Sequence, residues 1–190
     1  MYYLYANLVE MIHYKRVTET LELKQILALQ KENFKSSLSH DEIQKEGFVT
    51  VSHSFEVLKK MNDKCAHIIA KDDDLVVGYA LVMLNEFRDE ISVLSSMFET
   101  AEKLLGNQRY LAMGQICISK KYRKQGIFRG LYSFYKEELK SEYDCLLTEV
   151  ATSNKRSLAA HQSVGFEILK TQVSEDISWE LICWDWNTKN

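Results

Sequence analysis

The sequence predicts an α/β (α+β) domain in which helices flank a mixed, mostly antiparallel central sheet. In the first half of the chain two β-rich runs are separated by a short acidic turn, as in a hairpin. From Tyr110 to Ser163 strand and helix patterns alternate, and two more strand patterns close the chain. Alternation brings helices onto the faces of a sheet, and hairpins supply antiparallel pairs.

Length and composition indicate one globular domain. The chain has 190 residues, of which 46% are hydrophobic and 27% are charged, as in a typical folded protein. A domain of this size buries roughly 70% of the surface that its unfolded chain exposes. We therefore expect a single domain over residues 1–190 that needs neither a disulfide nor a structural metal to fold.

The chain is predicted to begin with a strand followed by helices. Residues 11–17 have a strand pattern, and apolar residues then recur at helical spacing over 19–31. Ser39 and Glu42 form the capping-box pattern of a short helix, which is expected to end at Gly47.

The next elements are a helix, a hairpin and another helix. Apolar side chains fall on one helical face over 54–62. The apolar runs 65–71 and 75–84 flank three aspartates, which predicts a hairpin. Residues 91–105 again have helical periodicity.

The second half of the chain is predicted to alternate between strands and helices and to end with a hairpin. The predicted elements are a strand (110–119), a basic loop, a helix (127–140), a strand (145–150), a helix (155–163) and two strands (166–173 and 177–186).

The charge of the chain is negative overall but unevenly distributed. A net charge of −3 argues against a general nucleic-acid binder, because such proteins are usually basic. Basic residues nevertheless cluster between positions 120 and 130, with no acid among them, namely Lys120, Lys121, Arg123, Lys124 and Arg129. This cluster indicates an anionic partner.

The cysteines and apolar runs predict neither a metal site nor a membrane span. The cysteines are scattered and fit small buried hydrophobic residues: Cys65, Cys117, Cys145 and Cys183. The longest apolar stretch, 75–84, is far shorter than the roughly 20 residues that cross a bilayer. The N-terminus lacks the basic start and cleavage site of a signal peptide, so we expect a cytoplasmic protein.

The basic loop and the helix after it form the strongest candidate binding site. The start of a helix offers unpaired backbone N–H groups and the positive end of the helix dipole. Gly126 lets a ligand approach the backbone closely, and the neighbouring cations add full charges. The pattern fits a phosphate or pyrophosphate cradle, or alternatively a solvated basic turn. The chain contains neither G-x-x-x-x-G-K-[ST] nor G-x-G-x-x-G, which disfavours ATP and dinucleotide sites.

This segment resembles the GNAT superfamily of acetyl-CoA-dependent N-acetyltransferases, whose signature Q/R-x-x-G-x-G/A lies between a strand and a helix. Arg123 and Gly126 match the first two anchor positions, and Phe128 replaces the final small residue. The resemblance implies a GNAT-like acetyltransferase fold. It also implies that backbone N–H groups from Lys124 to Phe128 bind the pyrophosphate of the coenzyme, and that the strand edge at 116–118 pairs with its pantetheine arm.

A second segment resembles the same family downstream. Asn154, His161, Gly165 and Phe166 keep the family's spacing after a strand. Asn154 and Gly165 also suit the cap and the end of a helix. Asn154, Ser157 and His161 share one stripe of that helix, which faces either water or the coenzyme. A coenzyme-facing stripe places Asn154 on the pantetheine amides and Ser157 near the phosphates. The predicted coenzyme-binding residues are therefore Ile116, Cys117, Ile118, Arg123, Lys124, Gln125, Gly126, Ile127, Phe128, Arg129, Asn154 and Ser157.

Acetyl transfer to an amine requires a base, because an alkyl ammonium with a pKa of about 10.4 is mostly protonated at neutral pH. The departing thiolate benefits from an acid. In the branch of the family that acetylates ribosomal proteins, a Glu precedes the acid-supplying Tyr at the spacing that Glu149 and His161 reproduce here. This resemblance implies Glu149 as the general base and His161 as the acid. Imidazole also suits a base or a structural role, and Glu149 also suits an ordinary ion pair.

In this family the acceptor lies between the first two helices and the late hairpin, here near 34–51 and 174–186. The side chains that we expect to line such a cleft, unless they serve packing and solvation, are Glu42, Glu46, Tyr143 and Trp179. Glu86, Asp89 and Glu90 precede a helix that looks inserted between two sheet strands. An acidic rim at this position suits a cationic amine.

The sequence thus predicts an N-acetyltransferase that moves an acetyl group from acetyl-CoA to a primary amine of a small molecule or peptide, by direct transfer in a ternary complex. The alternative is a non-catalytic acyl-CoA-binding or sensory module of the same fold. An RNA contact by the basic loop is disfavoured by the acidic total charge and the lack of interleaved aromatic residues. The expected partners are acetyl-CoA and an amine, without nucleic acid, membrane or metal. The identity of the amine, the acyl-chain preference and assembly as a homodimer stay open.

Overall fold

The structure is a computed structural model that describes residues 12–39, 41–43, 48–91, 94–174 and 176–187. Within these ranges seven strands form one sheet in the order β1-β2-β3-β4-β5-β7-β6. Only the β4–β5 pair is parallel. The strands are β1 (His13–Arg16), β2 (Ile68–Asp72), β3 (Leu75–Met83), β4 (Tyr110–Ile118), β5 (Cys145–Ala151), β6 (Glu167–Ser174) and β7 (Ile177–Asp185).

Helices cover both faces of this sheet, which confirms the predicted fold class. The α-helices of the described ranges are α1 (Thr20–Glu32), α2 (Phe55–Lys64), α3 (Ser95–Leu105), α4 (Ile127–Leu139) and α5 (Lys155–Gln162). The first three helices pack on one face of the sheet, and α4 and α5 pack on the other. None of the helices in the described part of the chain is long and apolar enough to cross a membrane.

Alternation along the strands divides the core between the two faces. On β3, Tyr79 packs in the cluster beneath α1, whereas Ala80 packs in the cluster beneath α4. On β5, Leu147 packs with α3, whereas Leu146 packs with α4. Because residues two apart in a strand share a face, Glu149 lies on the α3 side of the sheet.

A β-bulge in β4 lies where its pairing with β5 has ended. Between the pairs Ala80–Ile116 and Val82–Met113, one residue of β3 opposes two residues of β4. Such a bulge bends the strand and increases its twist. Within the two described strands, β4 pairs with β5 only over 110–112. The sheet therefore has a gap between β4 and β5, close to its centre.

Most predicted elements agree with the structure, apart from their ends. The helix predicted over 91–105 spans Ser95–Leu105 in the structure, with Leu94 as its N-cap. The predicted capping box is present, with the Ser39 N–H donating to Glu42 Oε2 (2.9 Å).

Two predicted element ends lie outside the described residues. These are the start of the first strand at residue 11 and the end of the short helix at Gly47.

Candidate functional site

The loop between β4 and α4 is shaped by two residues with positive φ. A short 3₁₀ turn, Lys120–Tyr122, follows β4. Lys124 then has a φ of 63° and Gly126 a φ of 82°. Gly126 is the N-cap of α4, and no side chain caps this helix end. A Cβ atom at Gly126 would meet nothing within 4 Å, so the space in front of the turn is open to a ligand.

This geometry leaves a run of backbone N–H groups unpaired. Among the described residues, no protein group accepts a hydrogen bond from the N–H groups of residues 124–129. The first paired N–H is that of Gly130, which donates to the Gly126 carbonyl (3.0 Å). Unpaired N–H groups at the positive end of a helix dipole form a site suited to an anion.

Two polar side chains of the loop form hydrogen bonds within the protein that hold the loop in place. Arg123 turns inward, where its Nε donates to the Ile118 carbonyl (3.2 Å) and a terminal nitrogen donates to Asn33 Oδ1 (2.6 Å). Gln125 turns back to the Lys121 carbonyl (3.0 Å). Arg123 therefore ties the loop to β4 and to the end of α1. The cations that line the space in front of α4 are Arg123, Lys124, Arg129 and Arg156.

A cleft with a volume of about 320 Å³, here called the coenzyme cleft, opens in front of this loop. Its walls come from the end of β4, the loop, the first turns of α4 and α5, and residues 48–49. Of the predicted coenzyme-binding residues, all except Gln125 line it: Ile116, Cys117, Ile118, Arg123, Lys124, Gly126, Ile127, Phe128, Arg129, Asn154 and Ser157.

A smaller cleft of about 80 Å³, here called the acceptor cleft, continues from the first one. It lies where β4 and β5 separate and is lined by residues 113–116 and 148–151 of these strands. The residues that line both clefts are Phe48, Val49, Ile116, Asn154 and Ser157. Both predicted catalytic residues, Glu149 and His161, line the acceptor cleft.

Glu149 lies in the acceptor cleft with its carboxyl group partly buried. Burial raises the pKa of Glu149 to about 7, although a hydrogen bond from Gln172 Nε2 to its Oε1 opposes this increase. Among the described residues that line either cleft, Glu149 is the only acid. A carboxyl group that titrates near neutral pH is suited to accept a proton from a bound group.

His161 is buried in an aromatic cluster, with its ring centroid 5.2 Å from those of Phe128 and Phe166 and 5.6 Å from that of Tyr132. Burial lowers the pKa of His161 to about 4, so the ring is neutral at pH 7. Its Nδ1 lies 2.7 Å from the Ser157 carbonyl oxygen, and therefore Nδ1 carries the single proton and donates it to that oxygen. Nε2 then has no proton to give. This arrangement disfavours the predicted acid role.

Asn154 caps α5, as its position in the sequence allows. Its Oδ1 accepts a hydrogen bond from the Ser157 N–H (3.2 Å), and its Nδ2 donates to the Phe48 carbonyl (3.5 Å). Both Asn154 and Ser157 lie at the junction of the two clefts. Their predicted contacts with pantetheine and phosphate remain predictions.

Of the residues predicted to line an acceptor site, one lines the acceptor cleft and two described residues lie elsewhere. Trp179 lines the acceptor cleft. Glu42 lies outside both clefts and binds Lys120. Tyr143 packs against the core cluster that contains α4. Glu46 lies outside the described residues.

The predicted acidic rim is wrong, because its three carboxylates line neither cleft. They lie around the turns before α3, where cations neutralise them. The pairs are Glu86 with Lys64 (3.4 Å), Asp89 with Arg88 (3.9 Å) and Glu90 with Lys60.

The family resemblance implies an acceptor site near 34–51, and residues 48–51 of this range line the acceptor cleft. Sequence reasoning missed that Phe48 and Val49 also line the coenzyme cleft. Residues 48–51 are irregular apart from a parallel bridge between Val49 and Phe34, so no helix or strand periodicity indicated this position. Arg156 was also missed, although it follows the Asn154 cap closely and its charge was a usable signal.

Metal chemistry has no obvious site in the described ranges. No group of three or more His, Cys, Asp or Glu side chains there is arranged to hold a metal ion.

The sequence matches a known family over most of its length. Residues 23–166 match the model of the Acetyltransferase (GNAT) family. None of the curated protein sequences matches the chain.

Several solved structures share the fold. The ribosomal-protein-S18-alanine N-acetyltransferase from Escherichia coli has a TM-score of 0.63 at 15% identity, covering 95% of this chain and 97% of that one. YncA from Salmonella typhimurium, solved with acetyl-CoA, has a TM-score of 0.61 at 10% identity, covering 95% and 96%. A chain of the NatC complex bound to Gag peptide and CoA has a TM-score of 0.66 at 15% identity, covering 93% and 99%. At these identities the likeness shows the fold alone.

Proposed function

Because this chain belongs to the GNAT family of acetyltransferases, we propose that it is an N-acetyltransferase that acts by direct transfer in a ternary complex. Acetyl-CoA supplies the activated acetyl group, and a primary amine of a small molecule or peptide receives it. The observation that carries this proposal is the run of unpaired N–H groups at the start of α4, which opens into a cleft that leads to Glu149.

In this proposal the loop before α4 binds the pyrophosphate of the coenzyme. This loop, residues 119–126, is here called the phosphate loop. The N–H groups of residues 124–128 donate to its oxygens, and Lys124, Arg129 and Arg156 supply positive charge. Arg123 is a positioning residue for the loop, because its guanidinium donates to Ile118 and Asn33.

The edge of β4 receives the pantetheine arm. Beyond residue 112 the described part of β4 has no β5 ladder partner. The backbone groups at 116–118 that bond neither to β3 nor to Arg123 are therefore available to the amides of the arm. The arm then runs toward the junction of the clefts beside Asn154 and Ser157, and the thioester reaches the gap between β4 and β5.

Glu149 acts as the general base, directly or through a water molecule. It takes one proton from the substrate ammonium, and the free amine then attacks the thioester carbonyl carbon. When the tetrahedral intermediate collapses, the carbon–sulfur bond breaks and the second proton of the nitrogen passes to the departing thiolate. The products are an amide and CoA with a free thiol, and Glu149 releases its proton to solvent.

His161 is a positioning residue in this scheme. Its Nδ1–H holds the Ser157 carbonyl, and its ring packs against Phe128 at the start of α4. These contacts join α5 to the phosphate loop, so His161 supports the shape of the coenzyme cleft without exchanging a proton.

The proposal is tested by the substitution Gly126→Glu, which places a carboxylate in front of the unpaired N–H groups. We expect the affinity for acetyl-CoA, measured by isothermal titration calorimetry, to fall at least about 100-fold. Gly106→Glu is the matched control, because Gly106 also has a positive φ (57°) and open space around it but lines neither cleft.

Thiol release with a panel of amines then separates catalysis from binding. Acetyl-CoA affinity that survives Gly126→Glu contradicts the assigned pyrophosphate site. Tight acetyl-CoA binding without release of CoA from any amine supports the non-catalytic binding module instead.

A further inference from the structure

The carboxyl group of Glu149 is held by a side chain from an edge strand of the sheet. Gln172 lies on β6, which is separated from β5 by β7. Gln172 pairs with Trp179, which in turn pairs with Ala151 of β5, so these residues form one row on the face that carries Glu149. From this row the Gln172 Nε2 reaches the Glu149 Oε1.

The far side of the Gln172 amide is bonded to α3. The Thr100 Oγ1 donates to the Gln172 Oε1 at 2.8 Å, and Thr100 is largely buried. A helical threonine hydroxyl often bonds instead to a carbonyl of its own helix. Here the hydroxyl joins α3 to the hairpin of β6 and β7, next to the acceptor cleft.

The amide of Gln172 can have two orientations, which fit different protonation states of Glu149. With its NH₂ toward Glu149 it stabilises a carboxylate, and with its oxygen toward Glu149 it faces a second acceptor. The second orientation fits only a protonated Glu149. The structure shows the first orientation, in which the Thr100 hydroxyl donates to the amide oxygen and the NH₂ donates to Glu149.

We propose that Thr100 and Gln172 are positioning residues that hold Glu149 as a carboxylate directed into the acceptor cleft. This inference rests on the proposed function, in which Glu149 is the base. It gives α3 a role in the reaction although none of its residues lines either cleft.

Few charged groups compete with this chain of hydrogen bonds. The titratable side chains of α3 are exposed, namely Glu99, Glu102 and Lys103, and Glu102 binds Arg88. On the α5 side the nearest titratable group of the acceptor cleft is His161, which is neutral at pH 7. On the α3 side Lys170 lies two strands from Glu149, in the row through Leu181, and is exposed to solvent. Glu180 lies in the row of Val150, on the opposite face. β4 contributes no titratable side chain to the acceptor cleft.

The test is the pH dependence of kcat/KM for acetyl transfer, measured by thiol release. We expect the wild-type rate to fall as the pH drops through about 7, because Glu149 becomes protonated. Gln172→Leu removes a donor to the carboxylate, so this midpoint should move about one pH unit upward. Thr100→Val should move it in the same direction by less, and Thr100→Ser should restore the wild-type profile.

Thr171→Val is the matched control, because Thr171 is the neighbouring residue on β6 and its hydroxyl bonds to Glu180 at 2.7 Å. Its profile should coincide with that of the wild type. Profiles of Gln172→Leu and Thr100→Val that also coincide with the wild type would overturn the positioning role.

Failure of the inference is distinguishable from failure of the proposed function. If Glu149→Gln leaves the acidic limb intact, Glu149 is not the base and the mechanism itself is wrong. If Glu149→Gln removes the limb while Gln172→Leu leaves it in place, only the positioning role fails. A ¹³C NMR titration of the Glu149 carboxyl group gives the same midpoint without turnover, so the inference stays testable on an enzyme whose amine is unidentified.

Discussion

At the scale of single residues, the burial of Glu149 has a cost in stability and also suits the role of base that we propose for it. In the folded protein its carboxyl group is buried enough to raise its pKa to about 7, whereas an unfolded chain leaves it near its ordinary value of about 4.3. The same desolvation that makes the carboxylate a better base makes its charged form unfavourable in the fold. Active-site residues often carry such a conflict.

We predict that Glu149→Gln stabilises the protein at alkaline pH. A raised pKa contributes stability that is fully present below the unfolded value and is lost as the pH rises through about 7. At pH 8 the variant should therefore have a free energy of unfolding higher by roughly 1–3 kcal/mol, and this difference should shrink toward zero near pH 4. Urea unfolding at both pH values measures it. An equal difference at the two values would show that the effect is not electrostatic.

Unlike Glu149, His161 is not expected to titrate in the pH range of the reaction. Because its pKa of about 4 keeps it neutral through the working range, His161→Phe should leave the midpoint of the acidic limb near pH 7. We expect the rate to fall by less than about tenfold, from loss of the hydrogen bond to the Ser157 carbonyl and altered packing, without loss of a proton transfer. A pH–rate profile of the variant checks this, and a shifted or missing limb would return His161 to the chemistry.

At the scale of elements, α4 has one glycine at its N-cap and one within its first turns, and the two serve different needs. Gly126 provides the positive φ that frees the N–H groups of the phosphate loop. Gly130, one turn later, lies against β1, where the Tyr14 hydroxyl fills the space that a side chain would need. A Cβ atom there would lie 2.0 Å from the Tyr14 Oη and 2.2 Å from its Cζ. The phosphate loop is thus backed by a close helix–strand contact.

Gly130→Ala is therefore expected to destabilise the protein although alanine favours helices. The steric cost of forcing Tyr14 aside, typically 1–3 kcal/mol, should exceed the roughly 1 kcal/mol gained in helix propensity. Chemical denaturation of a double-mutant cycle with Tyr14→Leu measures the coupling. In the Tyr14→Leu background the alanine should be neutral or stabilising, and an unchanged penalty there would contradict the packing argument.

At the scale of the whole molecule, the gap between β4 and β5 lies where residues from both helix layers meet. One layer of helices supplies the phosphate loop at α4 and the Asn154 cap of α5, whereas the other layer supports Glu149 through α3. The two clefts share residues on either side of this gap. In the proposed function, a coenzyme contacts one layer and its acetyl group points toward the other. The bulge in β4 lies beside the gap, and such a bulge bends a strand locally.

The sequence by itself determined the fold class, the order of strands and helices along the chain, and the position of the basic loop between β4 and α4. These features follow from the period of apolar residues and from residues close together in the chain, such as Arg123 and Gly126. The carboxylates before α3 show the limit of this reasoning, since their charge was visible but their neighbours, Lys60 and Lys64, were not.

Only the tertiary structure decided the environment of each reacting group. Glu149 meets Gln172 across 23 residues of sequence, and Gln172 meets Thr100 across 72. Burial, the protonation of His161 and the irregular wall at 48–51 likewise depend on contacts between segments distant in the chain. The period of apolar residues predicts which face of a helix or strand is buried. The pKa of a residue on that face also depends on the charged and hydrogen-bonding groups that other segments place against it.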